Sequence, residues 1–283
     1  MSNEAPEPKR GKLIEFSDDE EGDRSQLQAK PAHPQKAMAS AMSKQSAKPA
    51  SSSSLLDKYR KKLEGAKFRL LNESLYTGQK SATGLSQSEF DVYHQGFSSQ
   101  VEKWPTNPVD EIIKRFINPK KRRIDIGDFG CGDAKIGRTK GKVHNVHSFD
   151  LVAADESVTP CDIARDGVPL GDNMLDMVIF SLSLMGSDVT SYIAEARRVL
   201  KTGGELVIAE VKSRFSEDGE KSAEAMKRGL NKFCAGVRDM GFKMLELDSE
   251  SNTMFVLIRM SKTGKPVQKE VRIHLKPCEY KRR

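Results

Sequence analysis

Apolar positions are unevenly spread along this chain. Up to about residue 54 they follow no period, and Pro, Ser, Ala, Gln and Lys dominate, so residues 1–54 are expected to form a disordered leader. From Leu55 the texture changes. Leu56, Tyr59, Leu63, Ala66 and Leu70 recur at helical spacing, with Lys58, Arg60, Lys61, Lys62, Lys67 and Arg69 around them, which predicts a basic amphipathic helix. Pro108 can open another helix through Val109, Ile112, Ile113 and Phe116, capped by Asn107 and ended by Asn118-Pro119. Short apolar runs then alternate with helical patterns. Strands are predicted at 124–129, 146–150, 157–160, 176–182, 205–211, 243–248 and 253–260. Helices are predicted at 189–200, closed by Gly203-Gly204, and at 220–240. Such alternation makes a mostly parallel sheet with helices on both faces. The last two strands lie too close for a crossover helix and are expected to pair antiparallel.

Composition narrows the class. The net charge of +7 and pI near 9.1 favour a polyanionic partner, nucleic acid before membrane. Cys131, Cys161, Cys234 and Cys278 are far apart and form no CxxC pair, so neither a zinc site nor a disulfide framework is indicated. No apolar run approaches bilayer length, and Met-Ser-Asn-Glu-Ala-Pro opens no signal-peptide core. A reducing compartment, cytosol or nucleus, is expected. In the leader, Ser17-Asp18-Asp19-Glu20-Glu21 suits an acid-directed kinase and equally a solvated tail, and Lys9-Arg10-Gly11-Lys12 can belong to a nuclear import signal.

The chemistry centres on Asp128-Phe129-Gly130-Cys131-Gly132-Asp133-Ala134, which follows the strand bearing Ile124 and Ile126. Gly130 and Gly132 allow a tight turn and close backbone approach to a ligand, and a helix starting here would point unpaired N–H groups at it. A dinucleotide fingerprint would need a third glycine where Lys135 stands. Asp150 ends the second strand about twenty residues on, where an acid can hold ribose hydroxyls. Cys161-Asp162-Ile163 follows the third strand, so Asp162 can accept from an adenine amino group while Ile163 covers the ring. Together with the helix–Gly203-Gly204–strand unit, these acids resemble the class I S-adenosylmethionine-dependent methyltransferase fold. That is a Rossmann-like α/β seven-stranded sheet with an antiparallel last strand, here behind an N-terminal helical segment.

A narrower resemblance rests on Gly65-Ala66-x-Phe68-Arg69, Tyr93-His94-x-Gly96-Phe97, Gln100-Val101-x-Lys103-Trp104-Pro105, Asn107-Pro108-Val109-Asp110, the Asp128–Asp133 turn, Ser181-Leu182-Ser183-Leu184-Met185-Gly186, Glu195-Ala196-x-Arg198-Val199-Leu200-Lys201 and Leu275-x-Pro277-Cys278-x-Tyr280. These are similar to the nucleomethylin family, eukaryotic rRNA-processing enzymes that modify N1 of an adenine in large-subunit rRNA. The match runs from about Leu55 to the end. It implies S-adenosyl-L-methionine as cofactor, with S-adenosylhomocysteine as product, and cofactor contacts at His94, Gly130, Asp150, Asp162, Ile163 and Ser181. Gly132 serves the same turn, and Asp133 stands where it can cap the next helix. It also implies large-subunit rRNA or pre-rRNA as partner, with pre-ribosomal or nucleolar chromatin factors as further candidates, a nuclear and nucleolar location, no membrane and a monomer. Two departures are Thr202, in place of a proline common in this turn, and an apparent insertion at 216–224. The expected organisation is the leader 1–54, a basic helical segment 55–122 capping the pocket, a methyltransferase domain 123–261 and a basic C-terminal tail 262–283.

Amino-group methyltransferases usually carry Asn/Asp-Pro-Pro-aromatic after the fourth strand. Here Phe180-Ser181-Leu182-Ser183-Leu184-Met185 stands instead, which disfavours an exocyclic amine target. A ring nitrogen such as N1 has an in-plane lone pair, so neither a general base nor a metal is expected. Candidate RNA contacts are Lys58, Arg60, Lys61, Lys62, Trp104, Lys135, Arg138, the tail and, first among them, Arg214, which follows the fifth strand. Trp104 and Cys161 are assigned to packing. The competing readings are a cofactor-binding scaffold in nucleolar assembly or chromatin without turnover, a small-molecule methyltransferase, and, most distantly, an NAD dehydrogenase.

Overall fold

The structure, a computed structural model, describes residues 52–76, 84–185, 189–216, 220, 222–267 and 271–278. The leader with its acidic and basic clusters, Gly186, part of the 216–224 insertion and Tyr280–Arg283 lie outside the described residues, as do the side chains of Lys58 and Lys61. Seven strands form one sheet: β1 (Asp125–Phe129), β2 (Asn145–Asp150), β3 (Val158–Pro160), β4 (Leu175–Ser181), β5 (Leu200–Val211), β6 (Phe242–Asp248) and β7 (Phe255–Lys262). Their order is β3-β2-β1-β4-β5-β7-β6. The first five run parallel, and β7 inserts antiparallel to both β5 and β6. This is the doubly wound sheet with a reversed last strand expected above.

Alternation along each strand explains the layering. In β4, Val178 and Phe180 join a core cluster with Ile193, Ala196 and Val199 of α5 (Val189–Val199) and Leu230, Phe233 and Val237 of α6 (Ala223–Asp239). Met177 and Ile179 point the other way, into a second cluster with Ile112, Phe116, Ile117 and Ile136. Period-two side chains buried on both sides are what a central parallel strand requires. The helix opened by Pro108 is α3 (Pro108–Ile112), capped by Asn107, whose Oδ1 accepts from Val109 N at 2.9 Å. It continues as a π-helical turn, Ile113–Ile117, that keeps Ile113, Phe116 and Ile117 on the core side.

The structure departs from the sequence reading in three places. Leu200 already belongs to β5, and Gly203, at φ +84°, sits in an irregularity of that strand and does not close a helix. Helix α1 (Ser52–Tyr76) begins inside the span assigned to the leader. Lys262 ends β7, and the segment beyond it is in part a packed strap: Ile273 and Cys278 are buried. Hydrogen bonds to the strap backbone tie it down. Ile273 N donates to Thr190 Oγ1 (3.0 Å), Lys276 N to Arg214 O (3.0 Å), and Asn72 Nδ2 of α1 to Cys278 O (2.8 Å). Among the described residues no helix is long and apolar enough to cross a membrane.

Candidate active site at the glycine turn

Register brings the strand ends together. Phe129 pairs with Phe149, Asp150 with Pro160 and Ser181 with Ala209, so the residues after β1, β2, β3 and β4 share one edge of the sheet. At that edge Gly130 N and Cys131 N both donate to Phe149 O (2.8 and 3.0 Å), which turns the chain sharply. Gly130 is at φ +71° and Gly132 at φ +57°, where an L side chain is strained. A Cβ on Gly130 would also lie 2.4 Å from Ser183 Cβ. Ser183 Oγ donates to Phe129 O, so the segment after β4 is bonded to the end of β1.

Helix α2 (Gln87–Val101) brings His94 to the same place. Its start is fixed by a capping box between Ser86 and Glu89, and a Cβ on Gly132 would stand 3.6 Å from His94 Nδ1. The imidazole packs on Phe90, centroids 4.1 Å apart. Burial holds its pKa below the ordinary value despite Asp150, Asp133 and Asp91 nearby. One turn of the same helix also carries Tyr93, whose hydroxyl lies 2.8 Å from Met185 Sδ. The helical pair α1–α2 is thereby joined to the segment after β4.

The edge is acidic. Asp150 is buried; its Oδ2 accepts from Gly132 N and its Oδ1 from Leu151 N, each at 2.7 Å. Burial still pushes its pKa up, against the pull of His94 and these N–H groups. Asp128, 3% exposed, is pushed up to about 7 by burial first and then by Asp150 and Asp133. Asp162 accepts Ala164 N (3.2 Å) and Arg165 N (3.1 Å) through Oδ1 alone. Cys161 N bonds Asp150 O at 2.8 Å, which couples the β3 turn to β2. Among the described residues none of Asp128, Asp150 and Asp162 has a Lys or Arg partner within salt-bridge distance. Ser181 Oγ is buried without a hydrogen-bond partner among those residues.

The structure therefore gathers His94, Gly130, Gly132, Asp150, Asp162, Ile163 and Ser181 at one edge. Ile163 is 5% exposed and belongs to the larger core cluster beside Asp162. Asp133 does not cap the next helix: α4 (Lys135–Lys140) has Ala134 as its cap residue, with no side-chain bond. Lys135 pairs with Asp110 (2.6 Å) and Arg138 with Asp155 (3.1 Å). Trp104 stacks on Phe255 at 6.2 Å, as the packing assignment requires. Burial, then Asp150, raises the Cys161 thiol to about 11, and burial raises that of Cys131 as well, so neither is a ready nucleophile.

Arg214 is a correction. Its side chain is 1% exposed, paired with buried Glu210 at 2.7 Å, and its Nε donates to Lys276 O at 2.7 Å. It holds the strap to the end of β5 and presents no surface to a nucleic acid. Placement after a strand predicts an edge position but not side-chain direction; the Glu210 four residues earlier was the available signal. Sequence reasoning also passed over Asp128, Ser183 and Tyr93 as site residues. Asp128 reads as the polar end of a strand, and only its burial singles it out.

Residues 54–283 match a family described as "Hypothetical methyltransferase". Ribosomal RNA-processing protein 8 of Caenorhabditis elegans is 40% identical over 229 residues, 79% of this chain and 62% of that protein. The 25S rRNA (adenine(645)-N(1))-methyltransferase of Schizosaccharomyces pombe is 43% identical over 245 residues, 81% of this chain and 73% of that protein. Ribosomal RNA-processing protein 8 of Mus musculus is 42% identical over 231 residues, 78% of this chain and 46% of that protein. The chain thus spans less than two thirds of the nematode and mouse relatives it matches.

Proposed function

This chain belongs to the methyltransferase family that includes Ribosomal RNA-processing protein 8, and from that premise we propose that it methylates N1 of an adenine in large-subunit rRNA, with S-adenosyl-L-methionine as donor. The observation that carries this reading is the group of buried or half-buried carboxylates at the glycine turn, Asp128, Asp150 and Asp162, that have no Lys or Arg within salt-bridge distance among the described residues. A low-dielectric site with unbalanced negative charge favours a cation. S-adenosyl-L-methionine supplies a methyl group on a sulfonium and leaves as S-adenosylhomocysteine.

The residues present suit that donor. Asp150 retains lone pairs for ribose hydroxyls beyond its backbone donors, Gly132, Leu151 and Val152. Asp162 has one oxygen uncommitted for an adenine amino group, with Ile163 as the apolar wall beside it. Ser181 Oγ gains the partner it otherwise lacks. Gly130 and Gly132 let the backbone approach, and His94, its pKa held below the ordinary value by burial, covers the turn.

Adenine N1 already offers its lone pair, so no side chain is asked to remove a proton before attack. The protein's contribution is placement, which can lower the barrier by roughly 7–11 kcal/mol. The segment after β4 supports this role, because it is bonded both to the end of β1 and to Tyr93 of α2. The methylated ring is cationic, and the acidic edge suits it electrostatically. N1 is hidden in a duplex, so the target base is unpaired or extruded at a cost of a few kcal/mol. Exposed Arg60, Lys62 and Lys67 on α1 are suited to hold phosphates against that cost. The reading includes a monomer acting in the nucleolus, with the helical segment 55–122 as the cap over the pocket.

Nucleoside mass spectrometry of large-subunit rRNA, from cells with and without this protein, tests the proposal. Loss of 1-methyladenosine is expected without it, and equally with Asp150→Ala alone. In calorimetry Asp150→Ala should weaken donor binding by about 10–100-fold, the loss of hydrogen bonds to a charged group. Unchanged 1-methyladenosine would reject the proposal. Donor binding with no methyl transfer would favour the scaffold instead.

A further inference from the structure

At the opposite rim of the sheet, where β4 and β5 begin and β7 ends, a cavity of ≈390 Å³ is lined by Arg197, Arg198, Lys262, Asp172, Asn173 and Met240, among others. The three cations there are satisfied very differently. Arg198 is saturated: it donates to both Glu195 oxygens (2.6 and 2.8 Å), to Asp172 (3.0 Å) and to the carbonyls of Leu170 (2.7 Å) and Val168 (3.1 Å). Lys262 is 8% exposed, yet its ammonium reaches only neutral acceptors, Asn173 Oδ1 at 2.7 Å and Leu200 O at 2.6 Å. That leaves one of its three N–H groups over, and no carboxylate lies within 4.0 Å of it among the described residues. Arg197 uses Nη2 on Lys265 O (2.7 Å), while its Nε is buried without an acceptor. Asp172, the one acid lining the cavity among the described residues, is held by Arg198.

Burying a cation away from any anion is costly, and a second cation beside it adds to the cost. Burial and Arg197 depress the Lys262 amine, only partly offset by Asp172, whose carboxylate is already held by Arg198. The Arg197 guanidinium is held in place by close packing on the backbone: Gly241 is at φ +86°, and a Cβ there would stand 2.9 Å from Arg197 Nε. Two incompletely satisfied cationic side chains, one of them buried, thus border a cavity large enough for an oxyanion.

We propose that this cavity is a second anion site, remote from the glycine turn, that binds a phosphate group through Lys262 Nζ and the Arg197 guanidinium. Phosphate there completes the donors of both side chains and neutralises a pair that otherwise repels. The group can be a backbone phosphate of bound RNA or the phosphate of a free small molecule. The site does not depend on methyl transfer, so it can fail while the proposed function stands.

Titration of the full-length protein with inorganic phosphate, by calorimetry with chloride as control, tests it. Saturable phosphate binding is expected in the wild type and at least tenfold weaker binding in Arg197→Gln, with donor affinity unchanged. Lys262→Met should show the same loss; thermal unfolding reports whether that variant is folded, and Arg197→Gln decides if it is not. Competition of inorganic phosphate with single-stranded RNA, together with weaker RNA binding by Arg197→Gln, would assign the site to RNA. Phosphate binding that leaves RNA affinity untouched would assign it to a small molecule. No saturable binding by wild type, binding no tighter than that of chloride, or equal binding by the folded variants would overturn the proposal.

Discussion

Asp128 is a side chain whose ionisation the fold alters strongly. It is 3% exposed and its pKa is raised from 3.8 to about 7. Between those values the folded protein holds more protons than the unfolded chain, so stability falls as pH rises through that window and levels off above it. Replacing Asp128 with Asn should abolish this decline. In urea denaturation without donor, wild type should lose about 1–3 kcal/mol relative to Asp128→Asn between pH 5 and pH 8. Parallel pH profiles for the two proteins would refute the assignment. At this scale the sequence was most legible where backbone geometry dictates the residue. Gly130 and Gly132 are such positions, because φ and the proximity of Ser183 leave no alternative at the first of them. Asp150 and Asp162 were legible from their places after strands. Arg214 was not, because direction relative to the sheet depends on the short 3₁₀ turn Lys212–Phe215 that carries it inward to Glu210.

Among the elements, the crossing of α1 and α2 governs where His94 sits. A Cβ on Gly96 would fall 2.5 Å from Phe68 Cβ and Cγ, and Phe68 is fully buried. Two preferences compete in Gly96→Ala. Helix propensity gains about 1 kcal/mol, whereas forcing an atom into a packed contact costs typically 1–3 kcal/mol. Phe68 is held on several sides, so the clash should prevail. Hydrogen exchange in 87–101 should accelerate while the central strands stay protected, and donor affinity should fall several-fold. Uniform exchange with unchanged affinity would show that the crossing does not set the cap. The strands were legible because each is a short apolar run between turn residues. Helix α2 was not recognised as an element, since its Ser86–Glu89 capping box precedes a sequence of mixed polarity. Helix α4 was expected from the glycine turn and not from periodicity, which six residues are too few to show.

For the molecule as a whole, charge is the relevant quantity. The net +7 includes exposed Arg60 and Lys62 on α1, with the Lys62 ammonium 5.9 Å from the Tyr59 ring centroid. If these cations meet RNA phosphates, Arg60→Glu with Lys62→Glu should flatten the plot of log affinity against log salt by about 1.4, roughly 0.7 for each lost single-strand contact. An identical slope would remove α1 from the RNA surface. One consequence concerns synthesis. Asn72 and Cys278, bonded in the finished protein, are 206 positions apart in the chain. At about 5–20 residues per second, translation separates the emergence of the two by roughly 10–40 s. For that interval the nascent polypeptide holds α1 against α2 without the Asn72–Cys278 bond that fastens it to the strap, and that is when a chaperone would find it.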